Sequence, residues 1–296
     1  MTLQEHIERL RRSFAEIRVG GVGFADLGRG GRDYADRALA GLGRIDVRGL
    51  FGDLAAAIAF YTRLPLRPAA PIDGAAVARA SWCAPLVGAL IGALAGLAYW
   101  IAWRLNLPPL VSATLAVAAG MLLTGCLHED GLADTADGLG GGTTRERALD
   151  IMHDGRIGAY GACALVICVA LRIGAVADLP RAALVVWALV GAHATARGAL
   201  PLFMRLVPPA RTDGLSATAG APSLERSAVA ALTGIALLWI AFGFKNALIA
   251  LILVLAGAVV LAVIARRKIG GQTGDVLGAL EQVSETLVLL VTAARF

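Results

Sequence analysis

The chain is poor in charge. Asp, Glu, Lys and Arg make up 17% of its 296 residues, where a soluble domain carries about 25%. Hydrophobic residues reach 57% and the mean hydropathy is +0.71, more apolar surface than a soluble fold of this length can hide. A soluble enzyme is thereby excluded. Cysteine is scarce too. Cys83, Cys126, Cys163 and Cys168 stand in apolar stretches with no C-x-x-C pair, which argues against a disulfide framework or a thiolate zinc site. The D-x-D-x-D-G and G-x-x-x-x-G-K-S/T patterns are both missing, so neither an EF-hand nor ATP-driven chemistry is indicated. No apolar core of a cleavable signal occurs in the first 50 residues, and no signal peptide is expected.

Long apolar runs are what the chain has in abundance. Segments of a length that crosses a bilayer, about 17–25 residues, lie near Trp82–Trp103, Pro109–Leu127, Ala159–Ala177, Ala182–Leu200, Ser227–Phe244, Ala247–Ala265 and Val276–Ala294. The expected fold is therefore all-α, a polytopic helical membrane protein with about seven transmembrane helices. Glu281 and Glu285 interrupt the last run, which makes it the weakest of the seven. Phe51–Tyr61 is apolar but too short to span, and fits an interfacial or re-entrant segment.

Basic residues set the orientation. Of the 27 Lys and Arg, twelve precede Trp82, and three stand in each of the segments 128–158, 198–226 and 266–268. The alternate connections hold single residues, Arg104, Arg181 and Lys245, and Arg295 stands alone at the tail. This bias predicts a cytoplasmic N-terminus, with the richer loops on the same side. The net charge of +5 then reads as orientation and anionic-lipid contact, and no nucleic-acid partner is expected.

Residues 1–50 divide from the membrane region. Leu3, Ile7, Leu10, Phe14 and Ile17 recur at helical spacing, as in an amphipathic surface helix. The Gly-rich stretch 19–43 reads as a linker. Its Gly20-Gly21-Val22-Gly23 run lacks the β-α-β surroundings of a dinucleotide loop. Gly88, Gly92 and Gly96 repeat every fourth residue in the first span, a pattern of close helix packing.

The chemistry concentrates in one segment. Residues 128–158 hold seven of the 22 acidic residues. Asp130, Asp134 and Asp137 fall within roughly 60° of one another on a helix, and Leu132, Ala136 and Leu139 take the other face. A glycine turn follows at 138–142, then Thr143 or Thr144 as an N-cap. A second helix places Arg147, Asp150 and Asp154 together. Two short helices around a tight turn form a cytoplasmic hairpin whose acidic faces converge. Like charges so held need a cation, and oxygen-only ligands suit a hard ion such as Mg²⁺. Arg147 and Arg156 fit the oxygens of a phosphate. A solvated acidic loop is the plainer alternative, and the face-matched spacing argues against it.

Three other segments on that side carry phosphate-friendly groups: Thr62-Arg63-Leu64-Pro65, the stretch around Arg211, and Gly270 to Asp275 before the last helix, where a glycine-rich approach to a helix N-terminus suits an anion. Each alone also reads as an ordinary turn. His128 borders the acidic cluster as a candidate proton acceptor. His193 and Arg197, four residues apart in an apolar span, form either a structural or a substrate-facing pair. His6 and His153 read as surface residues.

These segments resemble those of the adenosylcobinamide-GDP ribazoletransferase (cobalamin synthase) family. The resemblance rests on Phe60 to Pro65, Trp82 with Pro85 to Gly88, His128 to Gly138, Ile151 to Gly158, Arg211 to Leu215 and Gly270 to Ala279, and it covers about residues 51–296. It implies an inner-membrane transferase of the last steps of cobalamin assembly. The implied substrates are adenosylcobinamide-GDP and α-ribazole or α-ribazole 5′-phosphate, and the products a cobalamin and GMP. It also implies Mg²⁺ dependence, with Asp130, Asp134, Asp137 and Asp154 at the metal and phosphate site. Asp134, Asp137 and His128 are then the catalytic candidates, and Arg63, Arg156, Arg211 and Asp275 the substrate contacts. The lipid bilayer is the expected surrounding, and a homo-oligomer is compatible with this reading. Residues 1–50 depart from the family pattern, and Gly155 stands where the family often has serine. The 134–138 and 150–154 carboxylates also resemble the CDP-alcohol phosphotransferase motif, in shorter spacing and without its Ala-Arg element, which suggests a shared type of mechanism. A secondary transporter would show inverted repeats and midplane charges, and a scaffold would not need the carboxylates.

Overall fold

The computed structural model describes residues 18–19, 22–23, 47–66 and 71–294. Two compact units divide the chain, Met1–Leu50 and Phe51–Phe296. The amphipathic helix expected at residues 3–17 lies outside the described residues. So does most of the linker, where the only described feature is a two-residue antiparallel pairing of Arg18–Val19 with Val22–Gly23. Otherwise the described secondary structure is helical, apart from one isolated bridge between Pro209 and Gln272.

Eleven α-helices follow. They are α1 (Val47–Tyr61), α2 (Gly74–Ala80), α3 (Ala84–Arg104), α4 (Pro109–Thr124), α5 (Leu127–Gly141), α6 (Arg145–His153), α7 (Ala159–Ala177), α8 (Ala182–Leu206), α9 (Leu215–Ala219), α10 (Leu224–Lys268) and α11 (Gly274–Ala293). Side chains cap several of them: Asp73 at α2, Thr144 at α6, Ser223 at α10 and Thr273 at α11 each accept an N–H of the first turn. The cap at Thr144 matches the expected start of the second short helix.

Among the described residues, five helices are long and apolar enough to cross a membrane, and six if the bent pair α4 and α5 counts as one span. At 45 residues, α10 would be roughly 67 Å long if straight, twice a bilayer core. It is not straight. Gly243 has φ 69° and ψ 176°, and Ala231 and Ile235 line the same groove as Val254 and Ala258. Its two arms therefore run antiparallel, and they correspond to the expected spans Ser227–Phe244 and Ala247–Ala265. Counting those arms separately gives seven crossing segments, α4 standing for the second. The first differs in its start, because a 3₁₀ turn at Ser81–Cys83 separates α2 from α3.

Lipid supplies no hydrophobic drive between helices, so close backbone approach has to do the packing. The 88–92–96 glycines do this between α3 and α8. A methyl group on Gly88 would collide with the His193 carbonyl oxygen, and one on Gly92 with that of Leu189. The middle of α8, from Ala188 to Pro201, is buried almost throughout, while Leu184, Trp187 and Leu206 toward its ends are exposed.

The ends of the bundle sort into two sets. Asp178, Pro180, Phe242, Asn246 and Thr292 line one cavity at one end. At the other end, Arg145 donates to the carbonyls of Ile269 and Ala210 at 2.9 and 2.6 Å. There Gln272 also pairs with the 208–210 strand-like segment, through Gln272 N to Pro208 O and Ala210 N to Gln272 O, both 2.8 Å. The loops richer in arginine are thus gathered at one end, and the single-charge connections at 178–181 and 243–246 at the opposite end.

Candidate active site

The acidic segment enters the bundle through a break. Gly125 and Cys126 both adopt left-handed backbone, φ 65° and 58°, and turn α5 by 89° from α4. The expected cytoplasmic hairpin is present as α5 and α6, but α5 is not a solvated arm with one packed face. His128, Glu129, Gly131, Leu132, Ala133, Thr135, Asp137 and Gly138 are all buried. Glycine makes this possible. A methyl on Gly131 would sit 2.9 Å from the Asp275 carbonyl oxygen and 3.1 Å from the Gly278 Cα, so α5 crosses α11 at backbone contact.

That crossing brings carboxylates together. The charges that bear most strongly on Asp134 are Asp130, Asp275, Asp137 and Asp154, all of one sign. Asp130 and Asp275 face a common cavity of about 220 Å³ together with His128 and Tyr61. A neighbouring cavity of about 190 Å³ shares Ser216, Gly274 and Asp275 and adds Arg211, Gln272, Thr273 and His153. Thr273 caps α11 and donates to Asp275 Oδ2 at 3.1 Å. Asp130, Asp134 and Asp275 offer oxygen donors of the kind a hard divalent cation takes, with Arg211 near Asp275.

The remaining expected site residues are placed less uniformly. Asp137 Oδ2 accepts the Gly158 N–H at 2.6 Å and Oδ1 the Gly161 N–H at 2.9 Å, so it anchors the start of α7. A methyl on either glycine would collide with this carboxylate. Asp154 and Arg156 are exposed and paired, Nη2 to Oδ2 at 2.9 Å. The Arg156 hydrogen bonds hold the Asp154 carboxyl below the usual carboxylate range. Arg63 lies over Gly125, and its backbone N–H donates to Leu123 O at 2.7 Å. Arg211 donates to Leu149 O at 3.0 Å while its Nε has no hydrogen-bond partner.

His128 is buried and lines the cavity shared by Asp130 and Asp275. Its ring stacks on Tyr61, centroids 5.9 Å apart at 23°, and its Nδ1 lies 3.3 Å from Arg197 Nη2. Behind it runs a buried charge network that sequence reasoning did not assemble. Arg197 Nη1 pairs with Glu281 at 2.5 Å. His193 Nδ1 meets Glu285 at 2.8 Å. Arg172 joins Glu285 at 2.6 Å, Glu129 at 3.1 Å and Gln282 at 2.7 Å. Gln282 also donates to Glu129 at 3.2 Å and to Glu281 at 2.9 Å. The question left open for His193 and Arg197 is thus answered structurally: both are paired inside the bundle. The usable signal was the matching four-residue spacing, 193 with 197 on α8 and 281 with 285 on α11, with Arg172 as a third intramembrane charge. Among the described residues, His193, Glu281 and Glu285 are the group whose ligand atoms lie close enough to share a metal ion, but two arginines already compensate these carboxylates.

Residues 53–293 match the family profile described as cobalamin-5-phosphate synthase. The adenosylcobinamide-GDP ribazoletransferase of Bradyrhizobium diazoefficiens is 51% identical, the alignment covering 84% of this chain and 95% of that protein. The Mesorhizobium japonicum protein of the same name is 46% identical over 83% and 94%, and that of Azorhizobium caulinodans 47% over 81% and 95%. No solved structure matches the chain.

Proposed function

The chain belongs to the cobalamin-5-phosphate synthase family, and from that premise we propose that the carboxylates around Asp134 carry out the transfer for which its relatives are named. In this reaction a ribose hydroxyl of α-ribazole, or of its 5′-phosphate, attacks the cobinamide-side phosphorus of adenosylcobinamide-GDP. One P–O bond forms to the ribose, the diphosphate P–O bond breaks, GMP leaves, and the hydroxyl proton passes to a base.

Asp130, Asp134, Asp154 and Asp275 are the residues that would hold Mg²⁺, with Asp137 adjoining them. When bound, such an ion neutralises the diphosphate and stabilises the leaving phosphate. The chain's own groups do the rest. Asp137 fixes α5 against α7 and so sets the spacing of the other carboxylates. Arg211, beside Asp275, has a free Nε for a phosphate oxygen. Arg63 and Arg156 would serve as further anion contacts, Arg156 by exchanging its pairing with Asp154 for a phosphate oxygen. A carboxylate of the cluster takes the hydroxyl proton.

The observation that carries this reading is the backbone contact of α5 with the first turn of α11 at Gly131, which sets Asp130 and Asp275 on one cavity. The reading includes an inner-membrane location with a cytoplasmic N-terminus, since the arginine-rich loops gather at the catalytic end. The test is direct: incubate the purified protein in lipid nanodiscs with adenosylcobinamide-GDP, α-ribazole and Mg²⁺, and follow cobalamin and GMP. Product in equal amounts, abolished by EDTA and restored by Mg²⁺, is expected. GMP without cobalamin would indicate hydrolysis and refute the transfer.

A further inference from the structure

The 220 Å³ cavity under α5 has a composition that diphosphate chemistry does not call for. Its wall is made by Phe60, Val77, Leu200, Met204 and Leu277, while Asp130, Asp275 and Ser216 stand at its polar margin. Tyr61 closes it beside His128. A mostly apolar pocket with a few convergent polar groups is the usual form of a small-molecule site. Two of its polar groups, Asp130 and Asp275, belong to the carboxylate cluster, so a ligand seated here has one end in hydrocarbon and the other among the reacting groups.

We propose that this cavity binds the benzimidazole base of α-ribazole and so places the ribose at the carboxylates. The proposal rests on the transferase reading above and names the half of the reaction that each cavity serves. A flat bicycle carrying methyl groups matches a wall of Phe60, Val77 and Leu277, and its ribose hydroxyls find Asp130, Asp275 and Ser216 at the margin. The other moieties fit less well. Guanine presents donors and acceptors along its edges, which this wall would leave unpaired. The diphosphate would face hydrocarbon, and the corrin macrocycle exceeds the cavity. The neighbouring cavity, with Arg211, Thr273 and Gln272, is the more suitable place for phosphate oxygens.

The test uses the full chain in nanodiscs with three nucleosides: α-ribazole, its analogue with an unmethylated benzimidazole, and a bulkier naphthimidazole nucleoside. Val77→Phe narrows the cavity from a position outside the carboxylate cluster. It should raise KM for α-ribazole at least tenfold, raise KM for the unmethylated analogue less, and leave KM for adenosylcobinamide-GDP within twofold. Val77→Ala, which cannot overpack, should lower discrimination against a bulkier naphthimidazole nucleoside. Equilibrium dialysis of α-ribazole against wild type and Val77→Phe reads occupancy without turnover, so it reports on the cavity even if wild-type transfer fails. Equal loss for α-ribazole and its unmethylated analogue, a KM change confined to adenosylcobinamide-GDP, or unaltered α-ribazole binding by Val77→Phe would each overturn the assignment.

Discussion

A guanidinium can only donate, so Arg197 Nη2 at 3.3 Å from His128 Nδ1 makes that nitrogen the acceptor and leaves the proton on Nε2. His128 then offers an N–H at Nε2, in keeping with the carboxylate base proposed above. Replacing His128 with Gln, which keeps a donor, should reduce kcat by no more than about tenfold, whereas Asp134→Asn should cost more than about a hundredfold, within the usual range for a lost acid-base group. Rates of GMP release by both variants, at matched membrane expression, decide between the two roles. The neighbouring network makes a different demand. Glu285 faces both Arg172 and His193, and Glu285→Gln would leave Arg172 partly uncompensated. Loss of one partner of a buried pair costs about 3–5 kcal/mol, so thermal unfolding in detergent should shift clearly downward. At this scale the spacing of Asp130 and Asp134 was readable in the chain, because helical geometry alone puts them on one face. The partners of Glu281 and Arg197 were not, because the cost of an intramembrane charge says that a partner exists without saying on which helix.

Helices here are positioned by what their glycines permit. The repeat at Gly88, Gly92 and Gly96 was legible as a packing stripe, since small residues at that spacing have few other uses in a span. The burial of α5 was hidden, because its composition is polar and its closest contacts run through Gly131 and Gly278, which carry no hydrophobic signal. The left-handed pair Gly125 and Cys126 hid it further, since Cys is an unusual residue at positive φ. Two substitutions separate stability from positioning. Gly92→Leu would drive a side chain into the Leu189 backbone, and we expect loss of folded protein, seen as aggregation on size-exclusion chromatography. Gly161→Ala places a methyl against the Asp137 carboxylate, displacing the anchor between α5 and α7. There the expected outcome is protein that elutes normally but transfers at least about tenfold more slowly, as small misplacements of reacting groups do.

For the whole molecule, the sidedness of arginine and the fold are independent observations that agree. The basic bias sorts connections into two groups, and packing gathers the same groups at opposite ends of the bundle. The folding back of α10 at Gly243 is what keeps the two accounts consistent. A single 45-residue helix would have put the 266–268 cluster on the opposite side from segment 198–226. In a variant lacking the native cysteines, Thr143→Cys and Thr212→Cys, both exposed, should react with an impermeant maleimide only from the cytoplasmic face. Asn106→Cys, in the connection between α3 and α4, should react only from the other face. Labelling of 106 and 143 from one side would refute the seven-segment arrangement. The same arrangement predicts how the chain tolerates truncation. The family match begins at residue 53, and every group assigned to either cavity lies after residue 59. Removal of residues 2–45 should therefore leave KM for both substrates within about twofold. A truncated protein that inserts and elutes normally yet no longer transfers would mean that the N-terminal unit contributes to the site.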